Sequence, residues 1–295
     1  MKKLILAVML VVSMITFAGC TIDFGTPADY SDGAGSGKQG SVDVSDKGSG
    51  NQDTGNASDD LTVEGKTLSK LTVKDGVGSI NLSKSSGDKV EIRYSKEVKG
   101  FGANIEEVMG QILVKTETEG DELTVSVKVR DDETEDFWHW LSDHYKAMNV
   151  SVDFEIKVPE NIKDFKVVDG VGDIMVEDAK GKIEITDGVG SIKLKNVSLT
   201  GECTFTAGTG DIKIDGEIKE LSHLTIKSGV GKTNLRLPEN SRFSIDASTG
   251  VGSIDGNLIR NGEGFVGDSL VQDVNGGGAD IEIKSGTGDI TVDKK

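Results

Sequence analysis

From residue 61 onward, apolar and polar positions alternate in short runs, and the runs are broken by a recurring Gly-x-Gly. The signature reads DGVGSI at Asp75, DGVGDI at Asp169, DGVGSI at Asp187, AGTGDI at Ala207, SGVGKT at Ser228, TGVGSI at Thr249 and SGTGDI at Ser285. Its first glycines fall at 76, 170, 188, 208, 229, 250 and 286, so successive spacings are 94, 18, 20, 21, 21 and 36. A period near 20 predicts a solenoid in which each repeat is one supersecondary unit stacked on its neighbours. Counted from the first glycine, positions −5, −3, +4 and +6 are apolar in 26 of 28 cases, Thr233 and Gly256 being the exceptions. Period 2 on both sides predicts two half-buried strands per repeat.

The step from −3 to +4 is seven residues, an odd number. One straight strand would place the two apolar sets on opposite faces. They reach a common core only if the chain turns a corner at Gly-x-Gly, which glycine permits. Gly-x-Gly also occurs in phosphate-binding loops, but there it opens a helix, whereas here it opens a strand. The expected fold is therefore all-β: a β-solenoid, or parallel β-helix-like stack, of rungs about 20 residues long. The 36-residue gap is expected to hide a degenerate rung around residues 262–278. The 94-residue gap holds an insertion, at about 84–164, of longer antiparallel strands.

One helix is predicted inside that insertion, at 133–148. Five of the six residues from Asp131 to Asp136 are acidic, which suits a helix start. Trp138, Trp140 and Tyr145 share the apolar half of its helical wheel, which makes them candidates for partner binding as well as for packing. His139 and His144 lie about 140° apart on that wheel, so one helix cannot aim both at one ion.

The amino terminus carries a different message. Lys2 and Lys3 precede an apolar stretch of 14 residues from Leu4 to Phe17, too short for an ordinary membrane span but suited to a signal peptide. It ends Phe17-Ala18-Gly19-Cys20, which resembles a lipobox. Residues 1–19 are expected to be a lipoprotein signal peptide, with Cys20 lipidated on the outer, extracytoplasmic face of a bacterial membrane. Residues 20–60 are rich in Gly, Ser and Asp and read as a disordered tether; residues 61–295 form the folded domain.

The 295-residue chain carries a formal net charge of −17, with 50 acidic and 33 basic side chains. Such a surface repels nucleic acid and acidic polymers. Two cysteines cannot build a disulfide framework. Cys203 occupies an inward column and reads as a buried apolar side chain. Asp169, Asp173, Asp187 and Asp211 recur near the corners of adjacent repeats and form a candidate calcium ladder, interrupted by Ser191 and Lys232. No nucleophile motif or other cofactor signature stands out.

With these features in view, the chain resembles the bacterial family of unknown function labelled "putative adhesin". The resemblance is carried by Leu123-Thr124-Val125, the strand from Val152 to Pro159, the GVGDI/GVGSI/GTGDI series, and the ending from Gly276 to Ile290. It implies a non-enzymatic surface protein binding an envelope or extracellular protein or polysaccharide, and it supplies no catalytic residues. The alternatives are a regulatory envelope-stress accessory acting on a membrane partner, and a polysaccharide-active β-helix enzyme.

Overall fold

The structure is a computed structural model, described over residues 43–45, 53–100, 104–145, 148–262 and 267–295. Cys20 and the leader lie outside the described residues. In chain order, β1 (Asp43–Ser45), β2 (Asp53–Glu64), β3 (Lys70–Lys74) and β4 (Ile80–Lys84) precede the insertion. The insertion comprises β5 (Lys89–Gly100), α1 (Asn104–Gln111), β6 (Ile112–Glu119), β7 (Glu122–Val129), α2 (Phe137–His144) and β8 (Asn149–Val158). Then come β9 (Asp164–Val171), β10 (Ile174–Glu177), β11 (Lys180–Val189), β12 (Ile192–Thr209), β13 (Ile212–Val230) and β14 (Thr233–Leu237). The chain closes with β15 (Phe243–Val251), β16 (Ile254–Asp255), β17 (Ser269–Val274), β18 (Ala279–Thr287) and β19 (Ile290–Lys294).

The fold is all-β, and its strands form two parallel ladders joined at the glycine corners. Strands leading into the corners pair in the order β7, β3, β9, β11, the second half of β12, the second half of β13, β18 and β15. Strands leaving the corners pair in the order β8, β4, β10, the first half of β12, the first half of β13, β14, β19 and β16. All 26 apolar side chains of the repeat columns are buried between the two ladders. The chain therefore bends at Gly-x-Gly, as the odd step requires, and both apolar sets face one core.

Spatial order departs from sequence order at the carboxyl end. The corner at Gly286 lies between those at Gly229 and Gly250, because β18 pairs with both β13 and β15. Among the described residues, the gap before it holds no extra rung. Its strand β17 pairs antiparallel with β15 and closes that end of the ladder. Within the insertion, β7 and β8 extend the parallel ladders by one rung that lacks Gly-x-Gly, with α2 in place of the corner. Antiparallel β6 and β5 then cover this end, β2 pairs with β5, and β1 with β2.

Two expected segments change their bounds, and one helix is added. Residues 53–60, expected in the tether, belong to β2, where Asp60 pairs with Arg93 across the strands. The predicted helix is shorter, because Asp136 caps α2 through its side chain, accepting from the N–H groups of Trp138 and His139. The acidic residues before it make turns and ion pairs instead: Asp132 with Thr134, and Glu133 with Lys115. Helix α1 was not predicted; it buries Ile105, Val108 and Met109. Its carboxyl end is held by two cations. Arg130 donates to the Gly110 carbonyl, and Lys96 donates at 2.7 Å to that of Ile112. Burial, then the charge of Arg130, lowers Lys96 to about 8. Tyr94 beside it is pushed up to about 12, chiefly by burial.

Candidate functional site

Each glycine corner contributes one residue to each of three columns that run the length of the stack. The first column is the residue before the first glycine, which faces inward. In spatial order it reads Asp75, Asp169, Asp187, Ala207, Ser228, Ser285 and Thr249, and every member is buried. Asp169 and Asp187 tuck beneath Gly172 and Gly190, their Oδ2 atoms within 3 Å of where a Cβ would stand. Among the described residues, neither oxygen of either carboxyl has a hydrogen-bond partner, nor does Asp75 Oδ2. Burial lifts Asp169 to about 6. Burial and the charge of Asp169 lift Asp187 to about 7, and the same two causes hold Asp75 well above the usual carboxylate range.

The second column is the residue after the second glycine. Its spatial order, starting from the glycine-free rung, is Asp153, Ser79, Asp173, Ser191, Asp211, Lys232, Asp289 and Ser253. Aspartates alternate with other residues without a break, a pattern that the displaced Gly286 corner completes. Each aspartate accepts the backbone N–H of the next member: Ser79 to Asp153 at 2.7 Å, Ser191 to Asp173 at 2.8 Å, Lys232 to Asp211 at 2.9 Å, and Ser253 to Asp289 at 3.2 Å. These carboxylates are backbone clamps between rungs, and Asp211 and Asp289 are held low chiefly by the N–H groups they accept. The four candidate calcium ligands are thus split, Asp169 and Asp187 facing inward, Asp173 and Asp211 on the clamp column. Among the described residues no three His, Cys, Asp or Glu side chains converge on one point.

The third column is the middle residue of Gly-x-Gly and points outward. It reads Val77, Val171, Val189, Thr209, Val230, Thr287 and Val251, seven β-branched side chains with no charge among them. Val171, Val189, Val230 and Val251 are 46%, 50%, 44% and 52% exposed. At about 4.8 Å per rung, the six steps span about 29 Å. The ridge was missed in the sequence because each middle residue reads as turn filler; only the register shows that the seven line up.

The glycines on either side let the rungs approach this closely. A Cβ built on Gly208 would lie 2.4 Å from the Gly188 carbonyl oxygen, and one on Gly210 would lie 1.8 Å from that of Gly190. The column ends against α2, where a Cβ on Gly76 would meet the Trp138 indole at 2.4 Å. Trp138, Trp140 and Tyr145 are half-buried and packed on the core, with Phe137 fully buried between the two indoles. Trp138 Nε1 lies near the Asp75 carboxyl without reaching hydrogen-bond geometry. The predicted aromatic face therefore covers the end of the glycine column. His144 stacks on Trp140 and bonds its carbonyl, while His139 faces Asp143, so the two histidines stay apart. Cys203 is buried and free, and its thiol is raised by burial.

Residues 113–293 match the family described as Toastrack DUF4097. The chain belongs to the Toastrack DUF4097 family. Among solved structures, this Toastrack chain is similar to a "putative cell adhesion protein" from Clostridium sporogenes, at 20% identity and a TM-score of 0.47, with 81% of this chain and 99% of that one covered. It is also similar to a "putative adhesin" from Bacteroides fragilis, at 17% identity and a TM-score of 0.35, covering 81% and 97%. A third, a "putative adhesin" from Parabacteroides merdae, has 12% identity and a TM-score of 0.25, covering 84% and 98%. No curated protein matches. Among the described residues of the Toastrack chain, no helix is long and apolar enough to cross a membrane.

Proposed function

We propose that this Toastrack chain is a non-enzymatic extracytoplasmic scaffold, anchored by lipid on Cys20, whose β-solenoid presents its valine and threonine ridge to a protein of the envelope or the extracellular matrix. The ridge carries this reading. From Val171 to Val251 it is an exposed, uncharged line of valine and threonine about 24 Å long on a chain whose net charge is −17. Methyl groups offer neither the aromatic faces nor the paired hydrogen bonds that hold sugars, so an extended apolar protein surface is the occupant that fits best. The acidic remainder of the surface opposes nucleic acid and acidic polymers. A non-enzymatic role is supported by the engagement of the corner carboxylates, which are either buried or committed to backbone N–H groups.

The test compares the full chain with its Val189→Lys/Val230→Lys variant on immobilised envelope and matrix fractions. Both side chains point outward, so the variant is expected to keep its melting temperature. Saturable, protease-sensitive binding that falls at least about tenfold in the variant supports the ridge, since each charge placed in an apolar contact costs more than 1.4 kcal/mol. Binding that survives protease treatment but not glycosidase treatment moves the partner to polysaccharide. Binding unchanged in the variant overturns the ridge as the contact. The anchor has its own test: Cys20→Ser is expected to shift the protein from the membrane to the soluble fraction.

A further inference from the structure

Three carboxyls stand one above another in the core: Asp75, Asp169 and Asp187, 8%, 3% and 2% exposed, on consecutive corners in parallel register. Among the described residues, five of their six oxygens lack a hydrogen-bond partner; only Asp75 Oδ1 is satisfied, by the Gly76 N–H at 2.8 Å. The charged groups that act on them are all acidic. Asp169 faces Asp75, Asp153 of β8 faces Asp169, and Asp169 with Asp173 faces Asp187. The nearby N–H groups of Gly170, Val171, Gly188 and Val189 offset only part of this burden. Three ionised carboxylates stacked without a counter-ion would be strongly disfavoured, whereas protonated carboxyls carry no such charge.

We propose that Asp75, Asp169 and Asp187 form a proton-loaded ladder that holds the first glycine corners and the Trp138 cap together when protonated and loosens them as it ionises. The top of the ladder touches the cap directly, since Trp138 covers Gly76 and its indole nitrogen lies near the Asp75 carboxyl. The sign follows from proton counts. With folded midpoints above the unfolded ones, the folded state binds more protons between the two, so stability falls as pH rises through that window. Asp169 closes its window at about 6 and Asp187 at about 7, after which the loss levels off. The fold is thus tightest in mildly acidic surroundings.

The experiment is urea unfolding of the full chain from pH 5 to 8, followed by intrinsic fluorescence. The chain has two tryptophans, both on α2, so emission reports on the cap. The unfolding constant of the wild type is expected to rise at least about a hundredfold over that range. Asp169→Asn/Asp187→Asn should remove most of that rise and be more stable than the wild type at pH 8. Asp246→Asn, exposed on β15, should leave the profile unchanged. Equal pH profiles for the wild type and the double variant would overturn the proposal, as would a double variant weaker at pH 8. If the double variant fails to fold, carboxyl carbon shifts of the wild type decide instead. Titration of the three above pH 5 supports the ladder, and titration near 4 overturns it.

Discussion

Gly210→Ala is the sharpest perturbation of the stack. Gly210 has φ of +140°, a region that residues with a Cβ rarely enter, and an added Cβ would stand 1.8 Å from the Gly190 carbonyl oxygen. The obstacle is backbone in the neighbouring rung, so relief requires the two corners to part by more than 1 Å, toward an ordinary contact of about 3.4 Å. That movement strains two ladder bonds, Gly190 N–H to Thr209 and Ile192 N–H to Asp211, both 2.9 Å long. Backbone strain costs about 1–3 kcal/mol and each broken bond about 1 kcal/mol, giving about 4 kcal/mol in all. For a domain of this size the melting temperature should fall by about 8–16 °C. Gly110→Ala is the matched control. It lies in α1 with nothing within 4 Å of the new Cβ, so it should stabilise by about 0.5–1 kcal/mol. Thermal melts of the two variants by circular dichroism make the comparison. A Gly210→Ala protein melting within 2 °C of wild type would refute close packing at the corners.

The remaining predictions probe the ends and the clamps. Trp138→Ala uncovers Gly76 and, for a half-buried indole, should cost about 2 kcal/mol in urea unfolding; no loss would mean that the indole does not seal the column. Asp211→Ala removes the acceptor of the Lys232 N–H and should cost about 1–2 kcal/mol at neutral pH. Because that carboxyl is held low in the fold, the cost should shrink as pH falls through the carboxylate range, measurable by melts at pH 7 and pH 3. The Lys96 amine should titrate at about 8 by nitrogen NMR, and stability should rise above that pH as the unfolded lysine keeps the proton longer; a midpoint above 10 would contradict its burial.

Much of the architecture was legible because period 2 and an odd step leave few options. Once −5, −3, +4 and +6 are apolar, the corner at Gly-x-Gly follows, and so does the buried fate of Cys203. The order of the rungs was not legible. Near-identical repeats carry no address, so nothing local in TGVGSI and SGTGDI says that the second slips in before the first. Only the long return through β17, pairing antiparallel with β15, makes that order compulsory. The same ambiguity hid the aspartate clamps, whose alternation is broken in sequence by Lys232 and Ser253 and restored in space by Asp289. Helix α1 escaped notice because eight residues ending near Gly110 show little periodicity; it is held by Ile105, Val108 and Met109 packing into the core and by Arg130, which reaches the Gly110 carbonyl from beyond β7. The acidic run before α2 suggested a longer helix, but only Asp136 serves as its cap; its neighbours satisfy turns and Lys115.

The continuous ridge, the clamp column and the closed carboxyl end all depend on the Gly286 corner lying between those at Gly229 and Gly250. Cysteine pairing measures this directly in a Cys20→Ser background. Val230 and Thr287 are register partners, so Val230→Cys/Thr287→Cys should form a disulfide under mild oxidation, with adjacent Cα atoms about 4.8 Å apart. Val230→Cys/Val251→Cys, neighbours in sequence but two rungs apart in space, should remain reduced at about 9.6 Å. Efficient pairing of 230 with 251 and none with 287 would place the rungs in sequence order and contradict the account.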